Sequence, residues 1–146
     1  MKKLIAMAAI AAVALAVIAA EHNTPQTSGD YAKLTAGEAV YAGNIAAVGT
    51  NGCAYAVNTS AVGGTLTVCG VFLHSAAKGE TVTVQRGGFI LENATGAGAI
   101  AKKDIGATAY SVSANPWTVT KTSGTKTVGK VADVRDDGSV VVVVGR

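Results

Sequence analysis

Thr81-Val82-Thr83-Val84-Gln85 alternates β-branched and polar residues, and Ser139-Val140-Val141-Val142-Val143-Val144 is a continuous β-branched run. Neither carries a helical period. Both read as strands, because side chains branched at Cβ pack well on a pleated surface and lose rotamer freedom in a helix. Gly70-Val71-Phe72-Leu73 has the same character, and from Val40 to Val144 the chain runs as a succession of such segments broken by glycine. Chemistry-bearing side chains are sparse throughout. The pattern predicts burial of apolar surface and a structural or binding role in place of catalysis.

Working outward, candidate strands cover 39–48, 53–57, 65–74, 80–86, 88–92, 106–112, 117–121, 126–134 and 139–144. Gly63-Gly64, Lys78-Gly79, Gly87-Gly88, Ser123-Gly124 and Asp136-Asp137-Gly138 separate several of them. Turn signals at intervals of about eight to twelve residues favour a sandwich or barrel. Asn51-Gly52 predicts a hairpin with a type I′ turn, since both residues tolerate positive φ. Only 94–104 is open to a short helix or a loop. A parallel α/β fold is excluded for want of crossover helices.

The chain has 146 residues, enough for one domain with a substantial core. Charged residues make up 14% and apolar ones 49%, so much of the surface must be Thr, Ser, Ala and Gly. Net charge is +3, but Lys2 and Lys3 supply two of those charges, leaving +1 for the rest. Nucleic-acid binding would need Lys and Arg gathered on one face. Lys102-Lys103 and Lys121 to Lys130 read instead as solvated strand faces.

Three segments follow from the composition. Residues 1–20 start Met1-Lys2-Lys3 and continue uncharged from Leu4 to Ala20. They form either a secretory signal, a basic start before an apolar centre and small residues, or an alanine-rich helix covered by a partner. Those 17 apolar residues are at the lower limit for a membrane span, so a membrane enters only if this segment acts as signal or anchor. Residues 21–38 are polar and read as an extended arm. Residues 39–146 form the β domain. The expected fold is thus all-β, a small barrel or sandwich-like domain preceded by an apolar N-terminal helix and an extended arm.

Sites for chemistry are weak. Gly124-Thr125-Lys126-Thr127-Val128-Gly129-Lys130 fits seven positions of a phosphate-binding loop, but Val131 lacks the hydroxyl and a strand pattern follows where a helix should start. Gly96-Ala97-Gly98-Ala99-Ile100-Ala101 lacks the helix of a dinucleotide fingerprint. His22 and His74 lie far apart and no metal-ligand spacing exists, so no metal or other cofactor is expected. No Gly-x-Ser-x-Gly turn occurs, and a hydrolase without any signature is the weakest candidate. Cys53 and Cys69 either bridge neighbouring strands, if the chain is exported, or are small buried side chains. Trp117, after Pro116, is assigned to the core in preference to an interface.

Several stretches in this order resemble the capsid cement, or decoration, proteins of tailed bacteriophages. They are Asn23-Thr24-Pro25, Gly37-Glu38-Ala39-Val40-Tyr41-Ala42-Gly43, Gly70-Val71-Phe72, Thr81-Val82-Thr83-Val84, Gly88-Phe89 with Asn93-Ala94, Ile105-Gly106-Ala107-Thr108-Ala109-Tyr110, Val128-Gly129-Lys130-Val131 and the valine-rich end at Arg146. The similarity spans about residues 21–146 and is one of order and spacing. It implies a non-enzymatic β domain on the exterior of the virion capsid, a homotrimer clamping neighbouring major capsid protein subunits, with no small-molecule substrate. The expected contact residues are Asn23, Thr24, Pro25, Tyr31 and Tyr41, on an arm with Pro and aromatics and no core of its own. The basic start and apolar centre of residues 1–20 depart from that family and support a rival, a secreted or surface-exposed bacterial β-rich binding protein with a cleaved signal peptide.

Overall fold

The computed structural model describes residue 24, the backbone of 26–28, and residues 30–62 and 64–145. The proposed N-terminal helix at 1–20 lies outside the described residues. Among the described residues eleven strands form two sheets: β1 (Gln26–Ser28), β2 (Tyr31–Thr35), β3 (Ile45–Val48), β4 (Ala54–Ala56), β5 (Thr67–Phe72), β6 (Thr81–Gln85), β7 (Gly87–Asn93), β8 (Thr108–Ser111), β9 (Thr118–Thr120), β10 (Thr127–Val134) and β11 (Val140–Val144). The described residues are mostly β-strand, as expected of the β domain. Residues 94–104 hold only two short 3-10 turns, Gly96–Gly98 and Lys102–Asp104.

One sheet closes on itself. Its order is β1-β7-β11-β10-β8-β9, and β9 returns to pair with β7, in parallel, at Glu92↔Thr118 and Asn93↔Val119. Strands β7, β11, β10, β8 and β9 therefore form a five-stranded barrel. The first half of β7 uses the same edge for β1, at Gln26↔Phe89 and Ser28↔Gly88. Trp117 fastens the closure: its indole Nε1 donates to Glu92 Oε2 at 3.0 Å, and its carbonyl accepts from Glu92 N at 3.2 Å. It is half-buried at the barrel rim, not enclosed in the core, because an indole needs a partner for its N–H.

The run Val140–Val144 serves as its composition predicts. Val140, Val142 and Val144 point into the barrel with Phe89, Leu91, Val119 and Val128, all essentially inaccessible, whereas Val141 and Val143 are half-buried on the outside. Gly129 permits the close approach of β10 to β11, since a Cβ there would lie 1.9 Å from the Val143 carbonyl oxygen.

The second sheet has the order β2-β6-β5-β3-β4. Ile45, Val57, Val68 and Val71 from this half join the barrel's apolar cluster. Its other face holds Ala36, Val40, Ala46, Ala54, Phe72, Val82 and Val84 in a second cluster. Ile45, Ala46 and Ala47 of β3 are thus all buried, each in a different apolar cluster, while Val48 at its end is half-buried.

Three expectations need correction. Strand pairing begins at Gln26, not at residue 39: the stretch read as an arm is extended, yet β1 pairs with β7 and β2 runs alongside β6 from Tyr31↔Gln85 to Thr35↔Thr81. Ala32 and Leu34 supply the inward face that makes this favourable. The Asn51-Gly52 hairpin forms with a three-residue loop, not a type I′ turn. Gly52 alone takes positive φ (78°), and its N–H donates to Gly49 O at 2.9 Å. Asn51 stays at negative φ because its Oδ1 accepts from Cys53 N and its Nδ2 donates to Tyr55 Oη.

The third concerns the cysteines, which do not lie on neighbouring strands. Cys69 is in β5 and Cys53 leads into β4, with β3 between them. Two inter-strand spacings are about 9.5 Å, beyond the Cα separation of about 7 Å that a disulfide tolerates. Both are free thiols. Burial pushes the Cys69 thiol up from 9.0 to about 11, against smaller opposing effects of a backbone hydrogen bond and Arg86. Thiolate is the reactive form, so Cys69 should resist alkylation at pH 8 until the protein unfolds, as mass spectrometry would record. The raised value also sets a sign. Above 9.0 the unfolded thiol loses its proton first, so the stability present below that pH declines as pH rises towards 11, by about 2 kcal/mol. Cys69→Ala should flatten this alkaline limb in denaturant melts.

Candidate binding surface

The expected contact residues separate into two places. Asn23 and Pro25 lie outside the described residues. The Thr24 hydroxyl donates to the Gly43 carbonyl, and the carbonyl of half-buried Tyr41 accepts from Asn44 N, so Thr24 and Tyr41 both meet the short loop that leads into β3. Tyr31 stands elsewhere, on β2. At 69% exposure it is the most exposed large apolar side chain among the described residues.

The surroundings of Tyr31 follow from strand register. Asp30 and Arg86 exchange both backbone hydrogen bonds, Asp30 N to Arg86 O at 3.0 Å and Arg86 N to Asp30 O at 2.7 Å. Antiparallel pairing alternates, so Ala32 and Leu34 also face β6 with their backbone groups while Tyr31, Lys33 and Thr35 turn theirs away. The next strand inward obeys the same rule: Leu73 N donates to Thr83 O at 3.0 Å, away from β2. Strand β2 ends its sheet. Its last outward carbonyl, on Thr35, faces Ala54 N–H of β4 in the parallel bridge Ala36↔Ala54; among the described residues nothing pairs with the outward N–H and C=O groups of Tyr31 and Lys33.

The opposite end of that sheet is sealed. After β2 the chain crosses to β4, where Ala36 bridges Ala54 in parallel and Gly37 N donates to Ala54 O at 2.8 Å. Glu38 completes the seal, its Oε1 accepting from Ala56 N at 3.1 Å and its Oε2 from the Thr59 hydroxyl at 2.7 Å. Gly37 is required there, since a Cβ would come within 2.3 Å of the Tyr55 ring. The β4 edge is therefore capped by the chain itself, and the same bridge closes the end of the β2 edge at Thr35, leaving that edge open at Tyr31 and Lys33 among the described residues.

Side chains along the open edge sort by face. Tyr31, Lys33 and Thr35 are exposed on one side, and Ala32 and Leu34 are half-buried on the other, Leu34 packing against the second apolar cluster. Sequence reading missed Lys33, Leu34 and Thr35. Their signal was the short alternation Tyr31-Ala32-Lys33-Leu34-Thr35, masked by the polar residues before it.

Several polar side chains elsewhere are engaged structurally. The His74 ring accepts from Thr83 N at 3.1 Å through Nε2, and its Nδ1 lies 3.2 Å from Ser75 O, so the imidazole stands in for a missing ladder carbonyl. Asn93 ties Ile100 and Gly138 to the barrel end. Lys102 pairs with Asp136 at 3.2 Å and Lys121 with Asp104 at 3.8 Å; the first pair is well exposed. Asp137 is held below the usual carboxylate range by the Ser139 hydroxyl first and the Ser139 N–H second. Strand β10 runs through the phosphate-loop-like stretch, with Gly129 inside the ladder opposite Val144. Among the described residues no group of three or more His, Cys, Asp or Glu side chains is placed to hold a metal, and no helix is long and apolar enough to cross a membrane.

No protein-family model, curated protein sequence or solved structure matches the chain.

Proposed function

We propose that this protein is a non-catalytic covering protein of the capsid-cement kind. It binds the outside of an assembled phage head as a homotrimer and holds neighbouring major capsid subunits together. The observation that carries the reading is the asymmetry of the second sheet: a capped edge at β4, an open edge at β2, and the exposed Tyr31 beside the open one. The order of residues shared with cement proteins between 21 and 146 adds to it. A closed barrel gives the rigid support on which an extended contact surface keeps its shape, and many copies on one shell raise avidity beyond the strength of any single contact.

The test is to mix the purified chain with assembled, undecorated heads. Co-sedimentation and added density outside the shell, three copies around local three-fold positions, are expected. Tyr31→Ala should lower occupancy at limiting protein by roughly tenfold, as loss of an exposed aromatic contact does. A chain that stays in the supernatant at all concentrations overturns the reading.

Lys2 and Lys3 before the uncharged run Leu4–Ala20 favour the second reading, an exported binding protein. N-terminal sequencing of the natural product separates the two. A start near Ala20 or Glu21 marks export, and an intact Met1 marks the virion.

A further inference from the structure

We propose that the open edge of β2 is a strand-addition site for an extended segment of a partner protein, one that alternates apolar and polar residues and sets a carboxylate opposite Lys33. The inference deepens the covering role proposed above and rests on it only for the partner's identity. The N–H and C=O groups of Tyr31 and Lys33 and the N–H of Thr35 point outward in register, whereas the Thr35 carbonyl is engaged by the bridge to Ala54. Their spacing, two residues apart along one strand, is that of a vacant antiparallel or parallel ladder.

The two faces of the edge define the incoming sequence. On one, Ala32 and Leu34 are half-buried, Leu34 against the cluster containing Phe72, Val82 and Val84, so an added strand extends that cluster with Val, Ile or Leu. On the other, Tyr31, Lys33 and Thr35 are exposed, and the added residues there are polar. Lys33 stands in the middle of the row. A carboxylate directly across from it is favourable and a lysine unfavourable. That charge argues against a second copy of this chain pairing edge to edge about its centre, which would set Lys33 against Lys33. Lysine on an edge strand also guards against indiscriminate pairing, so the same side chain excludes most strands and admits an acidic one.

The test uses the full chain and two probe peptides fused to an inert soluble carrier. Both have valine at alternate positions. One carries Thr-Glu-Thr between the valines, and the other carries Thr-Lys-Thr. The expected result is that the Glu peptide slows hydrogen exchange at the Tyr31, Lys33 and Thr35 amides and binds roughly fivefold or more tighter than the Lys peptide. Lys33→Glu should reverse that preference. Lys33→Pro, which removes an outward N–H without touching the β2–β6 ladder, should abolish both. Equal binding of the two peptides, protection at other residues, or an unchanged preference in Lys33→Glu overturns the proposal. So does concentration-dependent self-association that protects the same three amides, which would give the edge to a second copy. Binding to heads without protection of these amides leaves the covering role standing and overturns this inference alone.

Discussion

Gly129→Ala is expected to destabilise the protein by at least about 4 kcal/mol, lowering the melting temperature by roughly 10–15 °C. The methyl group would fall 1.9 Å from the Val143 carbonyl oxygen and 2.8 Å from its carbon, both backbone atoms. A flexible side chain could rotate aside. Backbone cannot, because Val143 is held on both sides, by Gly88 of β7 and Lys130 of β10. Relief requires β10 and β11 to part, and that opens the barrel. The opposite control is Gly138→Ala in the Asp136-Asp137-Gly138 turn, where a Cβ meets nothing within 4 Å. Its cost arises from the positive φ of 87° alone, so it should be about 1 kcal/mol. Thermal melts of the pair separate contact from conformation.

The same glycine shows where sequence reading reached its limit. Val128-Gly129-Lys130 was legible as a strand, because its flanks alternate and Val131-Ala132-Asp133-Val134 continues the pattern. That this glycine must be a glycine was not legible, since the requirement comes from a strand that follows it in the chain. Barrel closure has the same character. Thr118 and Val119 meet Glu92 and Asn93 only after β8 and two 3-10 turns have intervened, and nothing local to either segment announces a parallel partner. Strand existence is a local property of β-branched composition, whereas closure, register and the Cys53–Cys69 separation are properties of pairing.

The candidate surface was legible in one residue and hidden in its neighbours for a related reason. Tyr31 was found because an aromatic in a polar stretch has nothing local to pack on. The strand carrying it was not, because Gln26-Thr27-Ser28-Gly29-Asp30 reads as linker and only Ala32 and Leu34 mark an inward face. The arm lies against its own body because β6 and β7 each offer an unfilled edge, and pairing satisfies backbone groups that a free arm would leave to water. Its remaining outward groups on β2 are the ones argued above to receive a partner.

Phe72→Ala is expected to cost about 3–5 kcal/mol and to shift one unfolding transition shared by both sheets. Phe72 is 1% exposed and lies in the cluster of the second sheet with Val82, Val84 and Ala46, away from the barrel interior. A local loss would follow if the two halves were independent: the second sheet would melt early and the barrel would keep its own midpoint. The packing says otherwise. Ile45, Val57, Val68 and Val71 belong to the barrel's apolar cluster, and Val71 immediately precedes Phe72 on β5. Strand β3 carries Ile45 into one cluster and Ala46 into the other, so neither core survives the unfolding of that strand. Ile45 N also donates to Pro116 O at 2.7 Å, tying β3 to the segment that leads into β9. Fluorescence of Trp117, the single tryptophan, follows the barrel rim, and far-ultraviolet circular dichroism follows both sheets. In Phe72→Ala the two probes should give coincident, lowered midpoints, the mark of a single cooperative unit. A tryptophan transition left at the parent midpoint while part of the strand signal melts earlier would show that the barrel stands alone.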